Sequence, residues 1–184
     1  MTEPPLLIQA DGFSLRPFHP DDAPSLWGAL EESRPALRRW VGIGDMDGSV
    51  DLVRARIAQW SAAFDGRTRL QYALISADDA VLGGCALEHI DWPARTFQLG
   101  YWVRTSALGR GHATAAARAL TRAAFEVLAA RRVAIWTDVA NGASVAVARR
   151  LGFVLEGRLR HERLNAAGQP QDTCIFARTD AAGL

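Results

Sequence analysis

The run Leu108-Gly109-Arg110-Gly111-His112-Ala113-Thr114 carries the clearest chemistry in this sequence. It follows a strand-like stretch, Thr96 to Arg104, and leads into the strongest helical pattern of the chain. That pattern spans Ala113 to Ala130, with Ala113, Ala117, Leu120, Ala124 and Val127 on one stripe. Glycines at 109 and 111 let backbone turn sharply and approach a ligand closely. The N–H groups of the following helical turn have no intrahelical acceptor, and the helix dipole adds positive potential, so the run reads as an anion site with Arg110 as a mobile charge. It is not a P-loop, because no Gly-Lys-Ser/Thr follows the glycines. It also departs from the dinucleotide fingerprint: Thr114 stands where the third small residue belongs, and no acidic residue follows about 20 positions on at a strand end.

The elements that must position this loop are legible from periodicity. Phe13 to Pro17 reads as a first strand. Pro20-Asp21-Asp22 opens a helix through Leu26, Leu30 and Glu31, and a loop-rich segment from Ser33 to Gly48 carries Trp40. Ser49 caps a second helix through Leu52, Val53, Arg56, Ile57 and Trp60. Strands follow at Arg69 to Ser76, Val81 to Ile90 and Thr96 to Arg104, then the long helix, a strand at Val133 to Asp138, and a short helix from Ser144 to Leu151 stopped by Gly152. Phe153 to Arg163 and Gln171 to Arg178 form a closing antiparallel pair around Ala166-Ala167-Gly168. The order predicts a mixed α/β (α+β) domain, mostly antiparallel with one βαβ crossover, as a single domain over residues 1–184 with a core of about 13–178.

Composition agrees with one globular domain: 184 residues, 49% hydrophobic and 22% charged. No run of 18 apolar residues predicts a membrane span, and Met1 to Ala10 is unlike a secretion signal. Cys85 and Cys174 read as buried thiols without metal-ligand spacing, so no metal is expected, and the expected compartment is the cytoplasm. Charge is divided: residues 1–94 hold 8 Arg and 14 Asp or Glu, residues 95–184 hold 13 Arg and 6 Asp or Glu. A basic half suits a polyanionic ligand and an acidic half a cationic one. No aromatic stacking platform is interleaved with the arginines, so nucleic acid is not an expected partner.

Several segments in order resemble the GNAT superfamily of N-acyltransferases, in its RimJ/RimL branch of ribosomal-protein N-terminal acetyltransferases. They are Leu15–Ala23, Ser33–Trp40, Leu82–Asp91, Leu99–Thr114 and Asn141–Gly157. The resemblance covers nearly the whole chain and implies the GNAT acyl-CoA fold, with acetyl-coenzyme A as cosubstrate. It implies that Leu108, Gly109, Arg110, Gly111, His112, Ala113 and Thr114 form the pyrophosphate loop. Leu108 departs from the usual Gln or Arg at its position, so the backbone donors carry the binding. It further implies that the backbone at Tyr101, Trp102 and Val103 meets the pantetheine amides, that the next strand splays away, that Asn141 faces the cofactor, and that Ser144 meets the thioester sulfur. The tyrosine that many relatives use as an acid is replaced by Ala148. Asn141 or Ser144 would also serve simply as a helix cap.

The base is harder to find. Gln98 stands where the branch often has Glu and accepts no proton at neutral pH. Glu88 is the best remaining candidate, with His89 and Asp91 behind it, and strand alternation lets only one of Glu88 and His89 face the site. An α-amine, with a pKa near ~7.8, is partly neutral at about pH 7.5, whereas a lysine near ~10.4 is neutral about one time in a thousand, a deficit of about 4 kcal/mol. A site without a strong base therefore suits an α-amine. The resemblance makes Trp40 and its loop a wall of the acceptor site, and the charges of nearby Asp45 and Asp47 suit a cationic acceptor. The expected acceptor is an amine such as a ribosomal-protein or peptide N-terminus. Small-molecule amines, antibiotics, a succinyl donor and a homodimer all remain compatible with the sequence, as does a nucleotide-binding module without transferase chemistry.

Overall fold

The computed structural model describes residues 3–41, 48–165 and 168–184. Asp45, Asp47 and the turn residues Ala166 and Ala167 lie outside them. The chain begins with a hairpin, β1 (Ile8–Ala10) and β2 (Phe13–Pro17), turned at Asp11-Gly12 with Gly12 at φ +79. A 3₁₀ turn at Pro20–Asp22 leads into α1 (Ala23–Trp40), followed by α2 (Val50–Asp65). Then come β3 (Leu70–Ser76), β4 (Val81–Asp91), β5 (Thr96–Val103), a 3₁₀ turn at Thr105–Ala107, α3 (His112–Glu126), β6 (Arg132–Asp138), α4 (Gly142–Arg150), β7 (Val154–Leu164) and β8 (Pro170–Arg178).

The described strands form one sheet in the order β1-β2-β3-β4-β5-β6-β8-β7. β5 and β6 run parallel, joined by α3, and the other neighbours are antiparallel. This is the expected mixed α/β architecture with its one crossover. Two cores sandwich the sheet. On one face Phe97 and Leu99 of β5 pack with Ala116, Ala117 and Leu120 of α3 and Val147 and Ala148 of α4. On the other, Leu26, Leu30 and Leu37 of α1 and Val53 and Ile57 of α2 cover Ala73, Ile75 and Val81. Ser49 caps α2 as expected, its Oγ accepting from the Leu52 N–H at 3.3 Å.

Three features depart from the sequence reading. Helix α3 ends at Glu126 and not at Ala130, with Ala129 at φ +54. The expected loop from Ser33 onward is helix as far as Trp40, with Pro35 inside it. Proline deletes one helical hydrogen bond, but Leu30, Ser33 and Leu37 are all buried at helical spacing, and that burial carries α1 through. Strand β1 is additional to the expected elements, although Asp11-Gly12 is a hairpin signal. Gly152 ends α4 as expected: at φ +71 it lets the Phe153 N–H reach Ala148 O and its own N–H reach Arg149 O, a Schellman closure.

Candidate active site

The pairing of β5 with β6 runs from Thr96↔Arg132 to Gln98↔Ala134 and stops there, while β5 continues to Val103 and β6 to Asp138. β6 stays paired with β8 along its other edge, so the two parallel strands part at their C-terminal ends. Among the described residues, β5 from Leu99 onward has a ladder partner only in β4, and its other edge is open. A cleft of about 610 Å³ occupies this gap.

Strand alternation sorts its walls by face. Tyr101 and Val103 pack on the α3/α4 core, whereas Trp102 packs on the α1/α2 core. Glu88, paired with Gln98, shares the α1/α2 face with Gly100 and Trp102. Two glycines make room there. A Cβ at Gly84 would lie 2.7 Å from Trp102 Nε1, and one at Gly100 would lie 3.2 Å from Glu88 Oε1.

At the α3 end, Gly109 and Gly111 have φ +76 and +83, a region where L side chains are strained. The first helical bond of α3 runs from the Ala115 N–H to Gly111 O, so the N–H groups of residues 112–114 precede the ladder. Among the described residues, no atom beyond the adjoining residues lies within 4 Å of a Cβ built on Gly109 or Gly111. A Cβ at Gly111 therefore meets open space, and the cost of a side chain there is its left-handed φ. Leu108 and Ala113 line the cleft, and Arg110 is exposed. The ring of His112 packs edge-on against Phe13 at 5.3 Å. Thr114 is buried and its Oγ1 accepts from Arg150 Nη1 at 2.9 Å, so its side chain braces α3 against α4.

α1 holds this loop in place. Glu32 receives Arg104 Nε and Nη2 at 2.9 and 2.6 Å and both the N–H and the hydroxyl of Ser106, while Ser33 Oγ accepts from the Thr105 N–H. The hydrogen bonds from Arg104, with those from Ser106, pull the Glu32 carboxyl down to about 2.

Asn141 and Ser144 both reach the cleft, in different roles. Asn141 is the cap of α4, its Oδ1 accepting from the Ser144 N–H at 3.1 Å. That leaves Ser144 Oγ free of capping, and it lies 3.0 Å from Tyr101 Oη. Burial, opposed by the Ser144 hydrogen bond, pushes the Tyr101 phenol up to about 12. Cys85, the register partner of Tyr101, is fully buried and burial pushes its thiol up, so it offers no nucleophile.

On the opposite face Glu88 pairs with Arg69 at 3.0 Å. His89 turns aside at a bulge, with φ +47, and lines a separate hollow with Arg132 and Glu156. Asp91 accepts from the Ala94 N–H in a turn. Trp40, at the end of α1, lines the cleft with Trp60, Trp102 and Trp136, and Arg39 stacks on its ring at 4.5 Å. Sequence reading missed Arg56, Arg69 and Arg163 on these walls. Arg163 belongs to β7 and comes 3.5 Å from the buried Asp138. No local pattern foretells that approach. Asp172 is structural, accepting from Arg158 Nε and the His161 N–H and so pinning a bulge in β7.

An anion-binding loop beside parted parallel strands defines a class, and the comparisons agree. Residues 13–154 match the family described as "Acetyltransferase (GNAT) domain", and the chain belongs to that family of acyl-CoA N-acyltransferases. It is 32% identical over 165 residues to "Putative ribosomal N-acetyltransferase YdaF" of Bacillus subtilis (strain 168), covering 89% of each chain. It is 34% identical over 106 residues to "Ribosomal-protein-serine acetyltransferase" of Escherichia coli (strain K12), covering 57% of this chain and 58% of the other. The solved structure of RimL, described as a ribosomal L7/L12 alpha-N-protein acetyltransferase in complex with coenzyme A, superimposes with a TM-score of 0.87 at 24% identity, over 96% of this chain and 99% of that one. The two relatives above 30% identity support the RimJ/RimL branch, and the solved structure the fold.

The residues present fit coenzyme A. Two left-handed glycines with open space around them, the unbonded N–H groups at the start of α3 and the open edge of β5 suit a pyrophosphate followed by an extended amide chain.

Proposed function

We propose that this enzyme moves an acetyl group from acetyl-coenzyme A to the N-terminal α-amine of a protein or peptide, a ribosomal protein among them, by direct attack. Bound acetyl-coenzyme A supplies the acyl group as a thioester. The observation that carries the reading is the two-faced cleft. Ser144 and Tyr101 stand on the α3/α4 side of the gap between β5 and β6, and Glu88, Gln98 and Trp102 stand on the α1/α2 side. Residues 108–114 and the edge of β5 at Tyr101, Trp102 and Val103 bind the donor, with Asn141 beside them. Ser144 donates a hydrogen bond where negative charge grows on sulfur. Glu88, anchored by Arg69, faces the incoming amine and takes its proton through water.

The names of the relatives support a ribosomal acceptor. The arginines support a peptide, because peptide carbonyls close to the amine accept hydrogen bonds from guanidinium groups, which a simple alkylamine does not offer. Cys85 is buried, and Cys174, half-buried and not fully buried as expected, is not among the residues that line the cleft, so neither thiol is placed to carry the acyl group. Thiol release from acetyl-coenzyme A, measured with peptides bearing free or blocked N-termini and with small amines of matched pKa, tests the reading. Turnover is expected only with free peptide N-termini. Equal turnover with small amines would replace it with a small-molecule acetyltransferase.

A further inference from the structure

We infer that Tyr101 sets the direction of the Ser144 hydroxyl proton, and is thereby a positioning residue for the sulfur side of the reaction. The inference rests on the role proposed above for Ser144.

Tyr101 Oη has two neighbours on one residue: Ser144 Oγ at 3.0 Å and the Ser144 backbone oxygen at 3.3 Å. Each hydroxyl has a single proton. In one arrangement Tyr101 donates to the backbone oxygen and Ser144 donates to Tyr101. In the other, Tyr101 donates to Ser144 Oγ, and the serine proton must then point elsewhere, into the cleft that both residues line. The two differ by rotation of O–H bonds alone. Growth of negative charge in the cleft favours the second, and a donor behind Ser144 strengthens the hydrogen bond that Ser144 makes in front of it.

The surroundings hold the pair in register. The Ser144 backbone is fixed by the bond from its N–H to Asn141, and the Tyr101 ring is packed on the α3/α4 core. Burial keeps the phenol protonated throughout the range in which amines are acetylated, so it remains a donor. This arrangement also answers the loss of an acid at Ala148, which is fully buried and apolar. The phenol beside Ser144 belongs to β5 and not to α4.

The test uses free coenzyme A bound to the whole enzyme, with the pKa of its thiol read from the pH dependence of alkylation by a small neutral reagent. Tyr101→Phe, Ser144→Ala and the double variant are compared, together with kcat and KM. Tyr101→Phe keeps the ring and its packing. The expected result is that each single variant raises the thiol pKa and that the double variant raises it no further than Ser144→Ala alone. In parallel, Tyr101→Phe lowers kcat about tenfold, with KM for acetyl-coenzyme A within about twofold. A thiol pKa that moves in Ser144→Ala but not in Tyr101→Phe would overturn the inference and leave the role of Ser144 standing. A thiol pKa unmoved in both would overturn both. A full Tyr101→Phe effect on kcat in the Ser144→Ala background would show that Tyr101 does not act through Ser144, and would also overturn it.

Discussion

Glu32 and Arg104 are joined by two hydrogen bonds of 2.9 and 2.6 Å across 72 positions of chain. The pair ties the middle of α1 to the turn before the glycine loop at residues 108–114, so the helix on one face of the sheet fixes the loop that leads into the helix on the other. Arg104 holds the Glu32 carboxyl at about 2, below its usual 4.5. A carboxyl lowered on folding contributes stability that is complete above about pH 4.5 and fades as pH falls towards about 2. Thermal melts of wild type and Glu32→Gln should therefore differ most above pH 4.5 and converge as the pH is lowered to 2. At neutral pH the variant should bind coenzyme A several-fold more weakly. A melting difference independent of pH would show that the ion pair is not its source.

Gly111 separates backbone strain from ligand contact. Gly111→Ala places a Cβ in open space at φ +83, so its cost is that of the left-handed conformation, about 1–2 kcal/mol. Gly111→Glu has the same strain and adds a carboxylate against the phosphates. Calorimetric titration with coenzyme A should show weakened binding for the alanine variant and none for the glutamate variant, with both folded. Wild-type affinity in folded Gly111→Glu would remove the loop from the binding site.

Asn141 and Ser144 divide capping from chemistry. Asn141→Ala removes the cap of α4 and should cost about 1 kcal/mol of stability. Ser144→Ala leaves that cap in place, so its melting temperature should hardly change while kcat falls and KM for acetyl-coenzyme A stays near wild type. If Ser144→Ala loses stability and keeps its turnover, the hydroxyl is structural.

The order of elements along the chain, the crossover and the glycine loop were legible because each has a local signal: alternation in β3 to β5, an apolar stripe in α3, paired glycines ahead of it. The full length of α1 was not, because proline and glycine bias a reading towards loop, while the burial of Leu37 that overrides Pro35 is tertiary. Part of the cleft lining was legible: Trp40, Glu88, Leu108, Ala113, Asn141 and Ser144, singled out along the chain, all line it. The approach of Tyr101 to Ser144, 43 positions apart, and the arginines from α2, β7 and the start of β3 arise from packing and leave no spacing to read.

Glu88 invites a pH–rate profile. With an α-amine acceptor, kcat/KM should rise with pH and level off near the acceptor's own pKa, about 7.8. Glu88→Gln should lower the plateau a few-fold and leave the shape, because the proton leaves through water. A variant that loses the lower limb altogether would make Glu88 itself the titrating base.

Regiochemistry tests the central claim most directly. A peptide with a free N-terminus and one internal lysine is incubated with acetyl-coenzyme A and the enzyme, and the product is sequenced by tandem mass spectrometry. A single acetyl group on the α-amine, with the lysine untouched at about pH 7.5, is the predicted result. Acetylation of the lysine in preference to the α-amine would mean that the cleft deprotonates amines far more strongly than Glu88 and Arg69 allow, and would contradict the account.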